Sequence, residues 1–193
     1  SSGNSNTGSL TNNPQWSASV PSTISYDNPA SLEFNGSGQY ITYSNASILK
    51  PATVSVSLWL KSDATGQAKM PLRQNSTITY EILIIANQVR FYINDSGGLK
   101  YAYATEPSAG QWHHVVGTAD GSNVRIFVDG KEGTPAAGGE VSPTPADILY
   151  IGGYPSQPTQ TFDGLIDDVR IYNRALSAAE IMNLAKGRYG DGD

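Results

Sequence analysis

The chain contains no cysteine among its 193 residues. Disulfide bonds, thiolate metal sites and a cysteine nucleophile are therefore excluded. Positive charge is also scarce, since 12 Lys and Arg residues stand against 17 Asp and Glu residues and give a formal net charge of −5. Because nucleic-acid binding depends on a basic surface that neutralises phosphates, this balance argues against a nucleic-acid partner.

Long hydrophobic runs are absent as well. The longest apolar run, residues 82–86, is far shorter than the roughly 20 residues that a membrane-spanning helix needs, so we expect no membrane insertion. Residues 1–13 contain neither a basic residue nor an apolar stretch. We therefore predict that no signal peptide is present and that the mature chain starts here.

What the sequence does contain favours strands over helices. Gly, Tyr, Ser, Thr and Asn are abundant, and short β-branched or aromatic runs alternate with Gly, Pro, Asn and Asp from residue 31 onward. These runs predict an all-β fold with ten strands: Ser31–Phe34, Tyr40–Tyr43, Val54–Lys61, Ile78–Ile85, Gln88–Asn94, Leu99–Thr105, His113–Ala119, Val124–Val128, Ile148–Gly152 and Gly164–Tyr172.

Turn chemistry predicts three antiparallel hairpins. The turns are residues 86–87, 94–98 and 120–123, and the last contains an Asp-Gly pair, which favours the positive φ angles of tight turns. One helix is also predicted, because Ser177 and Glu180 have the spacing of a capping box. Ile181 and Leu184 then supply an apolar face, and Gly187 is a stop signal.

The pattern predicts three parts in the chain. Residues 1–30 form a polar N-terminal segment packed on the domain, with Trp16 as its large apolar anchor. Residues 31–187 form the domain itself, and residues 188–193 form a flexible tail. Lys69 and Arg73 fall in a predicted long loop between strands.

Several segments together resemble the laminin-G-like jelly-roll domains of the concanavalin A-like lectin/glucanase superfamily. The segments are the closing strand and helix FDGLIDDVRIYNRALSAAEI (162–181), WHHVV (112–116) with VRIFVDG (124–130), SLEFNG (31–36), VSLWLK (56–61) and the polar opening 2–13. The resemblance covers nearly the whole chain. It implies a two-sheet antiparallel jelly-roll β-sandwich with a short C-terminal helix.

The sequence departs from that family pattern at its start. In such domains the polar opening loop usually follows an N-terminal strand that ends in an aspartate, and no such strand precedes Ser1. One reading is that the chain was cut or processed here. The other is that a sheet edge stays open, which would expose unpaired backbone groups and allow self-association through strand addition.

The sequence shows no pattern for catalysis. Superfamily members that hydrolyse glycans carry an E-x-D-x-x-E strand, and none of the six glutamates here has that spacing. His113 and His114 are adjacent, so on a strand they point to opposite faces and cannot chelate one ion together. We read both histidines as structural, with a transition-metal site as the alternative, and we predict that the protein is not an enzyme.

The resemblance implies a structural Ca²⁺ site at the start of the last strand. Asp167 is the better ligand candidate, and Asp168 is the alternate, which could instead pair with Arg170. Asn4 and Asn6 in the opening loop are weaker candidates. The alternative reading is that these carboxylates are solvated or paired with arginine.

Ligand binding is predicted at a group of tyrosines. Tyr101 and Tyr103 alternate with alanines, so their rings stand on one face of a strand, and Tyr92 and Tyr80 are candidates to join them. Exposed aromatic rings stack on sugar faces. The alternative is that these tyrosines fill the sandwich or only satisfy β propensity.

The first functional hypothesis is a non-catalytic extracellular recognition module within a larger secreted or surface protein, binding a glycan or a cell-surface protein. The second is a structural subunit of a surface layer, filament or appendage, because the low charge and the Ser/Thr/Asn-rich composition also suit subunit packing. Fold-level analogy is the main support for either hypothesis.

Overall fold

The structure, a computed structural model, describes residues 7–44, 51–74, 78–142 and 148–188. Fifteen strands and one α-helix lie in these ranges. The strands are β1 Ser9–Thr11, β2 Gln15–Ser17, β3 Ser31–Asn35, β4 Tyr40–Ser44, β5 Val54–Ser62, β6 Lys69–Gln74, β7 Tyr80–Ile85, β8 Gln88–Asp95, β9 Gly98–Thr105, β10 His113–Ala119, β11 Asn123–Val128, β12 Lys131–Glu132, β13 Ala136–Ala137, β14 Ile148–Ile151 and β15 Asp163–Tyr172; the helix is α1 Ala178–Ala185.

Two antiparallel sheets pack face to face as a jelly-roll sandwich, which confirms the predicted fold class. The front sheet has the order β1-β4-β14-β6-β7-β8-β9. The back sheet has the order β12-β11-β10-β5-β15-β3-β2, with β13 paired to β11. Neighbouring strands in these orders are often far apart in sequence, so the fold depends on long-range pairing.

The core lies between the sheets and follows from side-chain alternation. Each strand sends every second side chain inward, and one inward row of the front sheet runs across six strands through Ile41, Ile151, Leu72, Ile82, Phe91 and Ala102. Alternate aliphatic residues of β5, β10 and β11 meet this row from the back sheet. Burial of these apolar side chains is the main force that holds the two sheets together.

The predicted hairpins and helix are confirmed. Ala86 and Asn87 both have positive φ in the two-residue turn between β7 and β8. Ser177 and Glu180 form the capping box at the start of α1, and Ile181 and Leu184 pack on the outer face of the back sheet. Within the described ranges no helix is long and apolar enough to cross a membrane.

The predicted loop around Lys69 and Arg73 is wrong, because these residues belong to β6 in the middle of the front sheet. Proline is unusual inside a strand, since it has no N–H to donate to a neighbouring strand, and β6 contains Pro71. The sheet accommodates Pro71 through a register shift between Lys69 and Leu72 in the pairing with β7. The Pro71 carbonyl instead accepts the N–H of Gly152, at 2.9 Å.

The N-terminal segment contributes strands to both sheets. β1 pairs with β4 at one edge of the front sheet, and β2 pairs with β3 at one edge of the back sheet. The expected docking of Trp16 is wrong, because 69% of this residue is exposed. Trp16 pairs with Leu32 at the outermost strand, where no further strand of the described chain covers it. The boundary at residue 30 and self-association at an open edge stay predictions.

His114 shows how the WHH segment serves the fold. Its side chain is fully buried on the outer face of β10, where Nε2 lies 2.8 Å from the Ser57 hydroxyl and the ring packs 5.1 Å from Trp59. Burial is the main cause that lowers the pKa of His114, to about 4. The imidazole is therefore neutral in the folded protein at pH 7.

The stability of the fold should fall as the pH is lowered from 6.5 towards 4. In this window the unfolded chain protonates His114, whose ordinary pKa is 6.5, while the folded chain does not, so protonation favours unfolding. The expected loss is roughly 3 kcal/mol at pH 4. Urea unfolding at several pH values checks this, and the His114→Gln variant should lose that part of the pH dependence. An unchanged pH profile in His114→Gln would contradict the assignment.

Gly117 lies directly against a side chain of the opposite sheet. A Cβ atom at this position would stand 2.1 Å from the ring of Phe91, which packs across the core from the front sheet. We expect Gly117→Ala to lower the free energy of unfolding by about 3 kcal/mol, the upper end for overpacked cores. Gly139→Ala is the matched control, because its new Cβ makes only ordinary contacts. Equal denaturation midpoints for the two variants would rule out this close approach.

Candidate functional site

Three of the four predicted tyrosines gather on the outer face of the front sheet. Tyr101 pairs with Tyr92 across β8 and β9, and their ring centroids lie 4.9 Å apart. Tyr103 is two residues along β9 on the same face, 6.4 Å from the Tyr101 ring. Tyr101 and Tyr103 remain 41% and 37% exposed, whereas Tyr92 is buried beneath its neighbours.

Tyr80 does not join this group. The strand register places Glu81, and not Tyr80, in line with Tyr92 and Tyr101. Tyr80 therefore points inward and is fully buried in the core, where burial raises the pKa of its hydroxyl. The face of Tyr80 could not be predicted without the strand register, because a shift of one residue reverses the face of every side chain.

Arg90 is a member of the same face that sequence reasoning missed. Its Nη1 donates to the Tyr92 hydroxyl at 3.0 Å, and its guanidinium lies 4.9 Å from the Tyr101 ring centroid. The spacing of Gln88, Arg90 and Tyr92 on β8 was the available signal, since alternate residues share a face. We call Arg90, Tyr92, Tyr101 and Tyr103 the tyrosine–arginine platform.

Backbone contacts hold the platform at the edge of the sheet. Tyr103 exchanges two backbone hydrogen bonds with Thr134, at 2.7 and 3.1 Å. Gly133 makes this approach possible, because a Cβ there would stand 2.4 Å from the Tyr103 carbonyl oxygen. The edge strand is thereby fixed before any ligand arrives, which lowers the ordering cost of binding.

A buried ion pair continues the platform towards the middle of the sheet. Arg73 Nη1 lies 3.2 Å from Glu81 Oε1, and both side chains are almost fully buried. Burial raises the pKa of Glu81, and the charge of Arg73 acts against that rise. Glu81 pairs with Tyr92 in the strand register, so the ion pair lies in the same outward row of the sheet as the platform.

This arrangement suits binding by stacking. Tyrosine rings offer flat apolar faces with a polar hydroxyl at one end, and arginine offers several hydrogen-bond donors. A sugar ring presents C–H groups on its face and hydroxyls at its rim, so the two surfaces are complementary.

The predicted calcium residues are already engaged in other contacts. Asp168 pairs with Arg170 at 2.8 Å, as the alternative reading of the sequence had it. Asp167 accepts the side-chain amide of Asn28 and the backbone N–H of Asp168, each at 2.8 Å. Asn4 and Asn6 lie outside the described residues.

These contacts do not fit a calcium ion, which takes six to eight oxygen ligands. Among the residues that the structure describes, no three His, Asp or Glu side chains are grouped to hold a metal. Calcium binding therefore stays a prediction from the family resemblance. The amide of Asn28 and the guanidinium of Arg170 both occupy carboxylate oxygens that calcium would need.

Calcium should leave thermal stability unchanged if the pairs around Asp167 and Asp168 persist in solution. A ligand that binds only the folded state raises the free energy of unfolding by mass action, by about 2.7 kcal/mol at 100 times its Kd, and Tm rises with it. Calorimetry in EDTA and in millimolar calcium measures this directly. A calcium-dependent rise in Tm that Asp167→Asn removes would show that the carboxylates rearrange around an ion.

The two histidines occupy separate environments, as their alternation on β10 predicted. His113 Nδ1 lies 2.7 Å from Asp129, and its Nε2 lies 2.9 Å from the Ser108 hydroxyl. This order matches a Ser-His-Asp series, but Ser108 is exposed and 49% of the Asp129 side chain is exposed. Both ends of the series are thus open to water, although the His113 side chain between them is only 14% exposed. Asp129 also accepts the His114 N–H, which supports a structural role.

The structural neighbours are jelly-roll binding domains. Domain 4 of AbnA, a GH43 extracellular arabinanase from Geobacillus stearothermophilus solved with arabinotriose, matches with a TM-score of 0.64, 19% identity, and coverage of 92% of this chain and 87% of that one. The binding domain of botulinum neurotoxin serotype G matches with a TM-score of 0.70, 13% identity, and coverage of 94% and 47%.

A third neighbour is the binding domain of Paraclostridial Mosquitocidal Protein 1, with a TM-score of 0.72, 14% identity, and coverage of 95% and 48%. The chain thus spans about half the length of the toxin domains it matches. At these identities the likeness establishes the fold alone. No curated protein matches the chain in sequence.

The fold and its structural neighbours define a jelly-roll sandwich, and the sequence assigns the chain to a family. Residues 35–182 match the family described as the concanavalin A-like lectin/glucanases superfamily. The match covers most of the chain, so the chain belongs to this superfamily. The resemblance drawn from the sequence motifs is confirmed.

Proposed function

We propose that the chain is a non-catalytic carbohydrate-binding module that works in an extracellular setting. The observation that supports this proposal most is the tyrosine–arginine platform. Two exposed tyrosine rings stand side by side there on one sheet face, and an arginine lies against one of them. Tyr101 and Tyr103 stack on sugar rings, and Arg90 donates hydrogen bonds to hydroxyls at the rim.

The neighbours support this proposal. Domain 4 of the arabinanase was solved with arabinotriose, and its chain is nearly matched in full by this one. One toxin neighbour is described through its interaction with two ganglioside molecules. Because this chain covers about half of that toxin domain, the arabinanase domain is the stronger support.

The proposal is tested by titrating the protein with a panel of neutral trisaccharides, arabinotriose among them, in a calorimeter. Tyr101→Ala and Tyr103→Ala should each weaken binding at least about tenfold, which corresponds to about 1.4 kcal/mol. Arg90→Lys should also weaken binding, because lysine cannot stack on the ring or donate through a planar fork.

Tyr26→Ala is the matched control. Tyr26 is 39% exposed, close to the value for Tyr101, but it lies beside Arg170 of the back sheet. This variant should bind like the unmodified protein. Equal affinities for Tyr101→Ala, Tyr103→Ala and Tyr26→Ala would contradict the platform as the binding site.

A second candidate function is a structural subunit of a surface assembly. Exposed Leu10 and Trp16 on the two edge strands β1 and β2 favour it, because such residues at an open edge suit contact with another subunit. Light scattering separates the two candidates. A monomer that binds glycans supports the module, and concentration-dependent oligomers that Trp16→Ser dissolves support the subunit.

A further inference from the structure

A second aromatic group lies on the outer face of the front sheet, several strands from the platform. Tyr150 of β14 contacts Tyr40 of β4 edge to face with ring centroids 6.1 Å apart, and it contacts Tyr154 in the same way at 5.0 Å. Tyr40 and Tyr154 line a cleft of about 250 Å³. We call it the Tyr40–Tyr154 cleft.

The aromatic wall of this cleft is held firmly from behind. The guanidinium of Arg73 lies 4.6 Å from the Tyr154 ring centroid, and the buried Glu81 fixes Arg73. The loop that carries Tyr154 is also tied at its base, since Phe162 N–H donates to the Gly152 carbonyl at 2.8 Å. Gly153 packs so tightly that a Cβ would stand 3.0 Å from the Gln39 carbonyl oxygen. The cleft is therefore formed before a ligand binds.

Polar groups also line the cleft. The Asn12 side chain donates through Nδ2 to the Gly38 carbonyl at 2.7 Å, which positions its amide oxygen as an acceptor for a ligand hydroxyl. The Thr161 hydroxyl donates to the Pro158 carbonyl and accepts the Gly38 N–H. A flat aromatic wall together with an amide and a hydroxyl suits a ligand with an apolar face and polar rim.

The charge and the size of the cleft restrict the kind of ligand that it can bind. Among the residues that the structure describes, those that line the cleft are uncharged: Asn12, Gly38, Tyr40, Tyr154, Pro155, Pro158 and Thr161. An acidic sugar or a phosphate would find no cation among them. The volume lies below the roughly 300–1,000 Å³ of pockets for drug-sized ligands, so the cleft accommodates a small ring.

We infer that the Tyr40–Tyr154 cleft is a second binding site, specific for an uncharged sugar residue. The inference rests on the proposed function and goes beyond it by naming a separate site and the charge of its ligand. Five strand spacings separate β4 from β9, about 24 Å at about 4.8 Å each. A polysaccharide that reaches both sites gains affinity through effective concentration, without further contacts.

Site-resolved NMR tests the inference with neutral arabinotriose and xylotriose as probes. In the ¹⁵N-labelled protein, two groups of amide signals should shift, one near residues 12, 38–40 and 153–161 and one near residues 88–105. Tyr154→Ala should abolish the first group, or raise its Kd at least tenfold, and leave the second unchanged. Tyr101→Ala should do the reverse.

Two further variants guard against a folding artefact. Tyr154→Phe keeps the aromatic ring and should keep the first group of shifts. Asn12→Gly removes the side-chain amide, and glycine suits the positive φ at this position, so this variant should fold but bind more weakly at the cleft. A trisaccharide with an acidic residue should bind the cleft with a Kd at least tenfold higher than that of a neutral trisaccharide, as measured from the same signals.

The outcomes separate this inference from the proposed function. Shifts confined to residues 88–105 would overturn the second site and leave the module proposal in place. Shifts confined to the cleft would support the second site and remove the platform. No shifts with any neutral probe would overturn both. Equal shifts near the cleft in the unmodified protein and in Tyr154→Ala would overturn the second site alone.

Discussion

The register of the front sheet is the constraint on which the rest of the structure depends. Pairing from β14 through β9 sets Tyr150, Arg73, Glu81, Tyr92 and Tyr101 in a single outward row. The inward row beside it is apolar and builds the core. Slipping any one of these strands by a residue would turn its polar side chains into the core and its apolar side chains outward, so core formation and the outward row select the same register. The proposed binding face is thus a consequence of how the sandwich closes.

Buried charge gives the outward row its rigidity. An arginine and a glutamate at the centre of a sheet are costly unless they pair, and here the pair also supports aromatic rings on its arginine side. An arginine also lies against a tyrosine ring at the sheet edge, where Arg90 contacts Tyr101. Two groups of several tyrosines, each with an arginine against it, lie on this face, whereas the outer face of the back sheet is partly covered by α1.

Most of the fold could be predicted from the sequence, and the reasons are local. Alternating apolar residues, turn residues with positive φ and the Ser177–Glu180 capping box all act over a few residues. β6 was missed because Lys69, Pro71 and Arg73 contradict a strand locally, and only pairing with distant strands makes them one. The site was predicted in part for the same reason. Tyr101 and Tyr103 share a strand, whereas the exclusion of Tyr80 and the addition of Arg90 depend on register between strands.

The central claim is that a sugar lies against the outer face of the front sheet, and intermolecular NOEs between ligand and ring protons test it most directly. With a bound neutral trisaccharide, the account predicts NOEs from sugar C–H protons to the rings of Tyr101 and Tyr103. NOEs to the ring of Tyr26 beside the back sheet, with none to the front-sheet tyrosines, would contradict it.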